Sequence, residues 1–226
     1  MVCMAVNKMS ISNIDYIGAF SVATDRFVLI ANDMTKSEKS IIEDTFKLKV
    51  VESTINWSPF VGIYVAANSH GMLVPGFTEE SEIRKLKQEI EDVNIGVFNT
   101  DLNALRNNIL LNDRIALVNP DYNSSEVKIM SDILGVEVIK TEIAGMKTVG
   151  ANNILTNKGV VFNNEIGEDE KRRLSKMLNV SGEQSTANSG SLSIGLCTIT
   201  NSGGLIVGSS TTGYEISQIM DSLNVE

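Results

Sequence analysis

The stretch Val61 to Pro75, VGIYVAANSHGMLVP, decides the fold. It reads as two strands joined by a tight turn. Apolar residues run up to Ala67. Asn68-Ser69-His70-Gly71 then supplies turn chemistry, because asparagine tolerates left-handed backbone angles and glycine has no Cβ to clash. Met72-Leu73-Val74 resumes the apolar run and Pro75 ends it. The same unit recurs along the whole chain, five times in all.

Gly62 serves as the marker. Gly18, Gly62, Gly150 and Gly195 each follow Ile or Val, at spacings of 44, 88 and 45 residues, and the skipped slot holds Arg106. Six residues past each marker stand Thr24, Asn68, Asn112, Thr156 and Asn201. The next residues are Asp25, Ser69, Asp113, Asn157 and Ser202. Apolar triplets follow in every copy: Val28-Leu29-Ile30, Met72-Leu73-Val74, Ala116-Leu117-Val118, Val160-Val161-Phe162 and Leu205-Ile206-Val207. A period near 44 residues held over five copies means an array, a solenoid or a closed ring.

Each copy continues into a helix. Thr35-Lys36-Ser37-Glu38 and Asn123-Ser124-Ser125-Glu126 match capping boxes. The other helices open at Thr78, near Gly167 and at Thr212, with acidic residues in the first turns, where the helix dipole favours them. Ile83, Leu86, Ile90 and Val93 mark one buried face. A strand follows each helix, as in KVVESTI at 49–55. The fifth copy ends at Glu226 without that strand, and Ala5 to Ile11 supplies a surplus one. An open solenoid needs caps at both ends, whereas a ring closed by the N-terminal strand needs none. The expected fold is therefore α/β. It is a five-bladed propeller with five-fold pseudosymmetry, strands around a central axis and helices outside. One domain spans 1–226, with repeats near 12–55, 56–99, 100–143, 144–188 and 189–226, the last completed by residues 1–11. Ser181 to Ser191 reads as a polar loop with room for a short strand.

Composition fits this picture. Apolar residues make up 42% and charged residues 21% of the 226, as in ordinary globular proteins. No run approaches a membrane span, and MVCMAVNKMS has no apolar signal core, so neither a membrane nor a secretory route is expected. Cys3 and Cys197 make no disulfide framework and fit a reducing cytosol. The net charge of −9 favours basic partners and leaves nucleic-acid binding to a local patch.

The chemistry-bearing residues are sparse. His70, the single histidine, reads as a turn residue, and Cys197 as a small buried residue within a strand. The turn Asn/Thr and Asp/Ser pairs recur five times, which suits local backbone bonding better than one active site. There is no phosphate loop, HExxH or CxxC. No catalytic residue, cofactor or metal is expected. The competing class is a guanidine-modifying hydrolase or transferase on the same kind of ring. It would require His70 and Cys197 to meet at the axis with Asp25 or Asp113 nearby.

NSHGMLVP at 68–75 and LRNNILLNDRIALVNP at 105–120 resemble the translation initiation factor 6 family in its shorter, archaeal form. IGAF at 17–20, VGANNILTNKG at 149–159 and NSGS at 188–191 add to the resemblance, which covers essentially the whole chain. The chain departs from the family pattern at Arg106, Asn119 and Ser189, where the family usually has Gly, His and Arg. The resemblance implies the five-bladed pentein fold and a non-enzymatic, cytoplasmic ribosome anti-association factor. It implies binding to the intersubunit face of the large ribosomal subunit, near ribosomal protein uL14 and the sarcin–ricin loop of the rRNA, with a further role in large-subunit biogenesis. A monomer, with no DNA or membrane partner, is expected. The contact surface is expected to include Asn68, His70, Asn107, Asn112 and Asp113. These are polar residues at loop positions of repeats two and three, where binding residues concentrate on a rigid scaffold.

Overall fold

The computed structural model describes residues 5–224, so Cys3 lies outside it. The first strand, β1 (Ala5–Met9), belongs to the last blade. Blade one is β2 (Ser21–Ala23), β3 (Phe27–Ala31), helix α1 (Lys36–Phe46) and β4 (Lys49–Ser53). Blade two adds a short helix in front: α2 (Val61–Tyr64), β5 (Ala66–Ala67), β6 (Gly71–Pro75), α3 (Glu80–Glu89) and β7 (Asn94–Phe98). Blade three runs α4 (Leu105–Asn108), β8 (Ile109–Leu111), β9 (Ile115–Val118), α5 (Ser124–Leu134) and β10 (Glu137–Lys140). Blade four runs α6 (Val149–Asn152), β11 (Ile154–Leu155), β12 (Val160–Asn163), α7 (Glu168–Leu178) and β13 (Gly182–Ser185). Blade five is β14 (Thr198–Thr200), β15 (Gly204–Gly208) and α8 (Gly213–Ser222).

Every blade is a three-stranded sheet with the same plan. A tight hairpin joins the inner strand to the middle one, and the third strand returns parallel to the middle after the long helix. In blade five the third strand is β1, parallel to β15 from Ala5 opposite Gly204 to Met9 opposite Gly208. The N-terminal strand thus completes the fifth blade, as the surplus strand in the sequence implies.

The first half of each hairpin departs from the strand expectation. Instead of strand, one helical turn precedes the inner strand: Ile17–Ala19 as a 3-10 turn, then α2, α4 and α6. The fifth copy turns likewise, with Cys197 N donating to the Ser193 carbonyl at 3.2 Å, so Cys197 precedes β14 rather than lying in a strand. The reason is packing at the axis. A Cβ on Gly62 would lie 2.0 Å from the Gly18 oxygen, one on Gly18 2.5 Å from the Gly195 oxygen, and one on Gly195 2.2 Å from the Gly150 oxygen. One on Gly150 would lie 2.0 Å from the Arg106 oxygen. The marker glycines allow five short turns to touch in a circle, which closes the ring.

The five hydrophobic clusters lie between blades. Ile42 and Phe46 of α1 pack with Ile199 and Ile206 of blade five and with Met9 of β1. Leu86 of α3 joins Leu29 and Val51 of blade one, and Met130 and Leu134 of α5 join Leu73 and Phe98 of blade two. Leu174 of α7 joins Leu117 of blade three, and Ile219 of α8 joins Val161 of blade four. Each long helix therefore covers the preceding blade. The middle strands are buried along their whole length, which is why they read as continuous apolar runs instead of alternating ones.

Capping boxes form at Thr35 with Glu38, Asn123 with Glu126, and Thr212 with Glu215. In blade two the N-cap is Glu79, paired with Glu82, while Thr78 bonds back to the Pro75 carbonyl at 2.7 Å. The segment 181–191 is ordered: β13 occupies its first part and an Ala187–Ser191 bridge closes a turn.

Candidate functional site

The ring has two ends, and the five expected contact residues are divided between them. The hairpin turns of all five blades gather at one end, where Thr24, Asn68, Asn112, Thr156 and Asn201 surround the axial mouth with Asp25, Asp113 and Asn157. The short turns with the marker glycines form the other end. Asn107 sits in α4, at the far side of β8 from Asn112 and Asp113. Three strand residues span about 10 Å, so Asn107 does not share a face with the other four.

At the turn end the side chains hold the blades together. Asn68 Nδ2 donates to the carbonyls of Asn112 and Leu134, both at 3.1 Å, while its Oδ1 accepts from His70 N and Gly71 N. Asn112 repeats the arrangement toward Thr156, at 3.0 Å, and accepts from Arg114 N and Ile115 N. Asn201 does the same toward Thr24. Thr24 and Thr156 lack an amide and bond within their own turns. Asp113 accepts from Ser69 N and Oγ, and the Asn157 amide bridges Asp113 and Asp25. Asn68 and Asn112 are buried with every amide group bonded internally, so they are scaffold. Of the turn residues His70 is the exposed tip of its hairpin.

The opposite end has a different character. Of the eight exposed large apolar side chains among the described residues, six stand at this end: Ile14, Tyr16, Trp57, Phe60 and Phe77 in its loops and Tyr214 on the first turn of α8. Trp57 is 77% exposed. Phe60 packs on Phe20 with ring centroids 5.2 Å apart, and Phe77 meets Tyr64 edge-on at 5.4 Å. The loop carrying Trp57 is held from below. Glu82, on the first turn of α3, accepts from Asn56 N at 2.7 Å, Trp57 N at 3.0 Å and Thr54 Oγ1. Glu38, Glu170 and Glu215 grip the corresponding loops of their neighbours at Ser12, at Ala144, and at Ser189 and Gly190. The backbone at Asn56 and Trp57 has positive φ, which presents the indole outward. Beside this patch an open depression of about 500 Å³ is lined by Phe77, Asp101, Asn103 and Glu126. Asn107 belongs to this end, and its Oδ1 is among the few buried polar atoms without a partner in the described residues. The sequence offered one unused signal for the patch: the only tryptophan stands in a polar turn between Asn56 and Ser58.

The structure does not assemble the hydrolase constellation. His70 lies at the turn end of blade two, whereas Cys197 lies at the short-turn end of blade five inside a hydrophobic cluster. Burial pushes the Cys197 thiol up to about 11, against the activation a nucleophile needs. Among the described residues no group of three or more His, Cys, Asp or Glu could hold a metal, and no helix is long and apolar enough to cross a membrane.

Comparison with known proteins gives one answer over nearly the full chain. The model of the eIF-6 family matches residues 6–222. Translation initiation factor 6 of Pyrococcus abyssi is similar to this chain at 36% identity, covering 98% of it and 100% of the relative. The protein of the same name from Pyrococcus furiosus is 37% identical over 97% of this chain and 99% of its own length. That from Picrophilus torridus is 36% identical over 97% and 100%.

Proposed function

The chain belongs to the eIF-6 family, which makes it a non-enzymatic translation initiation factor, and we propose that it works by binding the large ribosomal subunit. The ring occupies part of the intersubunit face and keeps the small subunit off by steric exclusion. The neighbours there are ribosomal protein uL14 and the sarcin–ricin loop region of the rRNA. The protein acts as a cytoplasmic monomer, with a further role in large-subunit biogenesis.

We propose that the short-turn end docks. The observation that carries this choice is the concentration of exposed aromatic side chains there, at the end of the ring that also holds Asn107. Aromatic anchors on a rigid support dominate binding energy at protein interfaces. The acidic depression next to Phe77 suits a basic ribosomal protein, and a net charge of −9 favours the same approach. At the turn end, by contrast, Asn68, Asn112 and Asp113 are occupied in joining blades.

Co-sedimentation with isolated large and small subunits tests this function. The protein is expected in the large-subunit fractions and absent from the small-subunit ones. Recovery with neither subunit would refute it.

A further inference from the structure

The loop that enters each blade follows the repeat. Ile11, Ile55, Ile143 and Ala187 each open a tight turn, closed by a bridge to Ile14, Ser58, Met146 and Ser191. All four opening residues are fully buried. The turns between them run through positive φ, as at Ser12, Asn56, Ala144 and Asn188. In each case the third residue of the following long helix is a glutamate that accepts the turn's backbone amides. Glu38 takes Ser12 N, Glu82 takes Asn56 N and Trp57 N, Glu170 takes Ala144 N, and Glu215 takes Ser189 N and Gly190 N.

Blade three breaks this pattern. The opening position, 44 residues past Ile55 and before Ile143, holds Asn99, which is polar and exposed. Among the described residues no bridge and no positive φ occur from 99 to 103. Without an apolar anchor in the core the chain takes another course, and the Tyr122 hydroxyl donates to the Leu102 carbonyl at 3.3 Å. The matching glutamate is Glu126, the third residue of α5. It accepts from Asn123 N at 2.7 Å in its capping box, and among the described residues it takes no loop amide. Its side chain instead lines the open depression of about 500 Å³, together with Asp101 and Phe77.

We propose that this depression receives an arginine side chain of the basic protein on which the ring docks. The repeat itself specifies the ligand chemistry, because in blades two and five the same glutamate takes N–H donors from two consecutive residues. A guanidinium presents its N–H donors side by side in a planar fork and matches a carboxylate in the same way. It also stacks on aromatic rings, and Phe77, 38% exposed, stands in the depression. A lysine ammonium is a point charge without that fork. Asp101 adds a second negative charge. The inference rests on docking through the short-turn end and names the group that this end recognises.

Two measurements test it. The isotope-labelled full chain is titrated with a capped glycine–arginine–glycine peptide and followed by NMR. Localised shifts at the amides of Phe77, Asp101 and Glu126 are expected. The corresponding lysine peptide is expected to bind more weakly, and the citrulline peptide, which keeps the shape without the charge, to leave these amides unmoved. Glu126→Gln combined with Asp101→Asn removes both charges and keeps an acceptor for Asn123 N. This variant is expected to melt like the wild type and to lose the peptide shifts. It is also expected to co-sediment with the large subunit about tenfold more weakly, the effect of losing one charge-assisted hydrogen bond. No localised shifts at the solubility limit of the arginine peptide would overturn the proposal. So would undiminished shifts in the folded variant, equal binding of the lysine peptide, or co-sedimentation of the variant at wild-type strength. The titration uses no ribosomes, so recovery of the wild type with neither subunit would refute subunit docking while the peptide shifts still report on the depression.

Discussion

Asn68 Nδ2 donates to the carbonyl oxygen of Asn112 at 3.1 Å, so the turn of one blade is bonded by a side chain to the turn of the next. Asn112 passes the same bond on to Thr156. These amides do two things at once: the oxygen shapes the turn and the nitrogen joins the blades.

Asn112→Ala breaks both functions. It strands the buried Thr156 carbonyl and Ile115 amide, together with the part-buried Arg114 amide. Unpaired buried polar groups cost about 1–3 kcal/mol each, and a loss of about 3 kcal/mol in urea unfolding is expected. A change below about 0.5 kcal/mol would mean that the bond between turns contributes nothing to the ring.

Removing residues 1–11 takes away the third strand of blade five, together with Met9 and Ile11, both buried. Burying such side chains is worth about 1.5–3 kcal/mol each. At about 2–4 °C per kcal/mol for a chain of this size, the melting temperature is expected to fall by about 10–20 °C. Equal melting of the truncated and full chains would show that β1 does not close the ring.

The closure also has an acid-sensitive contact. Asp15 accepts from Ser10 Oγ at 2.6 Å and from Ser210 N at 3.1 Å, and it bonds the Ser210 hydroxyl. The Ser10 hydrogen bond, followed by those from Ser210, holds its pKa below the usual carboxylate value of 3.8. A lowered folded pKa contributes stability above the unfolded value, and that contribution is lost as pH falls through the folded one. The stability difference between wild type and Asp15→Asn is therefore expected to be constant from pH 7 to 5 and to shrink below about pH 4. A difference that grows in acid would reverse the assignment.

Much of this was legible in the sequence, for a physical reason. The repeat holds its phase because each unit must present the same turn, the same buried middle strand and the same helix to its neighbour. The ring, its closure by the N-terminal strand and the capping boxes at Thr35 and Asn123 follow from that regularity. The one-turn helices did not, because four apolar residues such as VGIY at 61–64 carry no period that separates helix from strand. That α1 covers blade five was equally hidden, since a helix's apolar face does not say which sheet it meets. At the candidate site, Asn107 stood out as an asparagine ahead of an apolar run. Asn68 and Asn112 looked like ordinary turn residues, and their reach across blades is a tertiary fact.

The two ends of the ring are distinguishable by single substitutions. Trp57→Ala removes a side chain that is 77% exposed and is expected to change stability by no more than about 0.5 kcal/mol. At an interface centre its loss is expected to cost about 2 kcal/mol of large-subunit affinity, roughly thirtyfold. His70→Ala, at the opposite end, is expected to leave affinity unchanged. The reverse pattern, measured by titrated co-sedimentation, would move docking to the turn end.

Subunit joining tests the central claim most directly. Purified archaeal large and small subunits are mixed under joining conditions with increasing amounts of the full chain and resolved on a sucrose gradient. The account predicts that the joined-ribosome peak falls as the protein approaches one copy per large subunit, with the protein migrating in the large-subunit peak. An undiminished joined peak at saturating protein would contradict it.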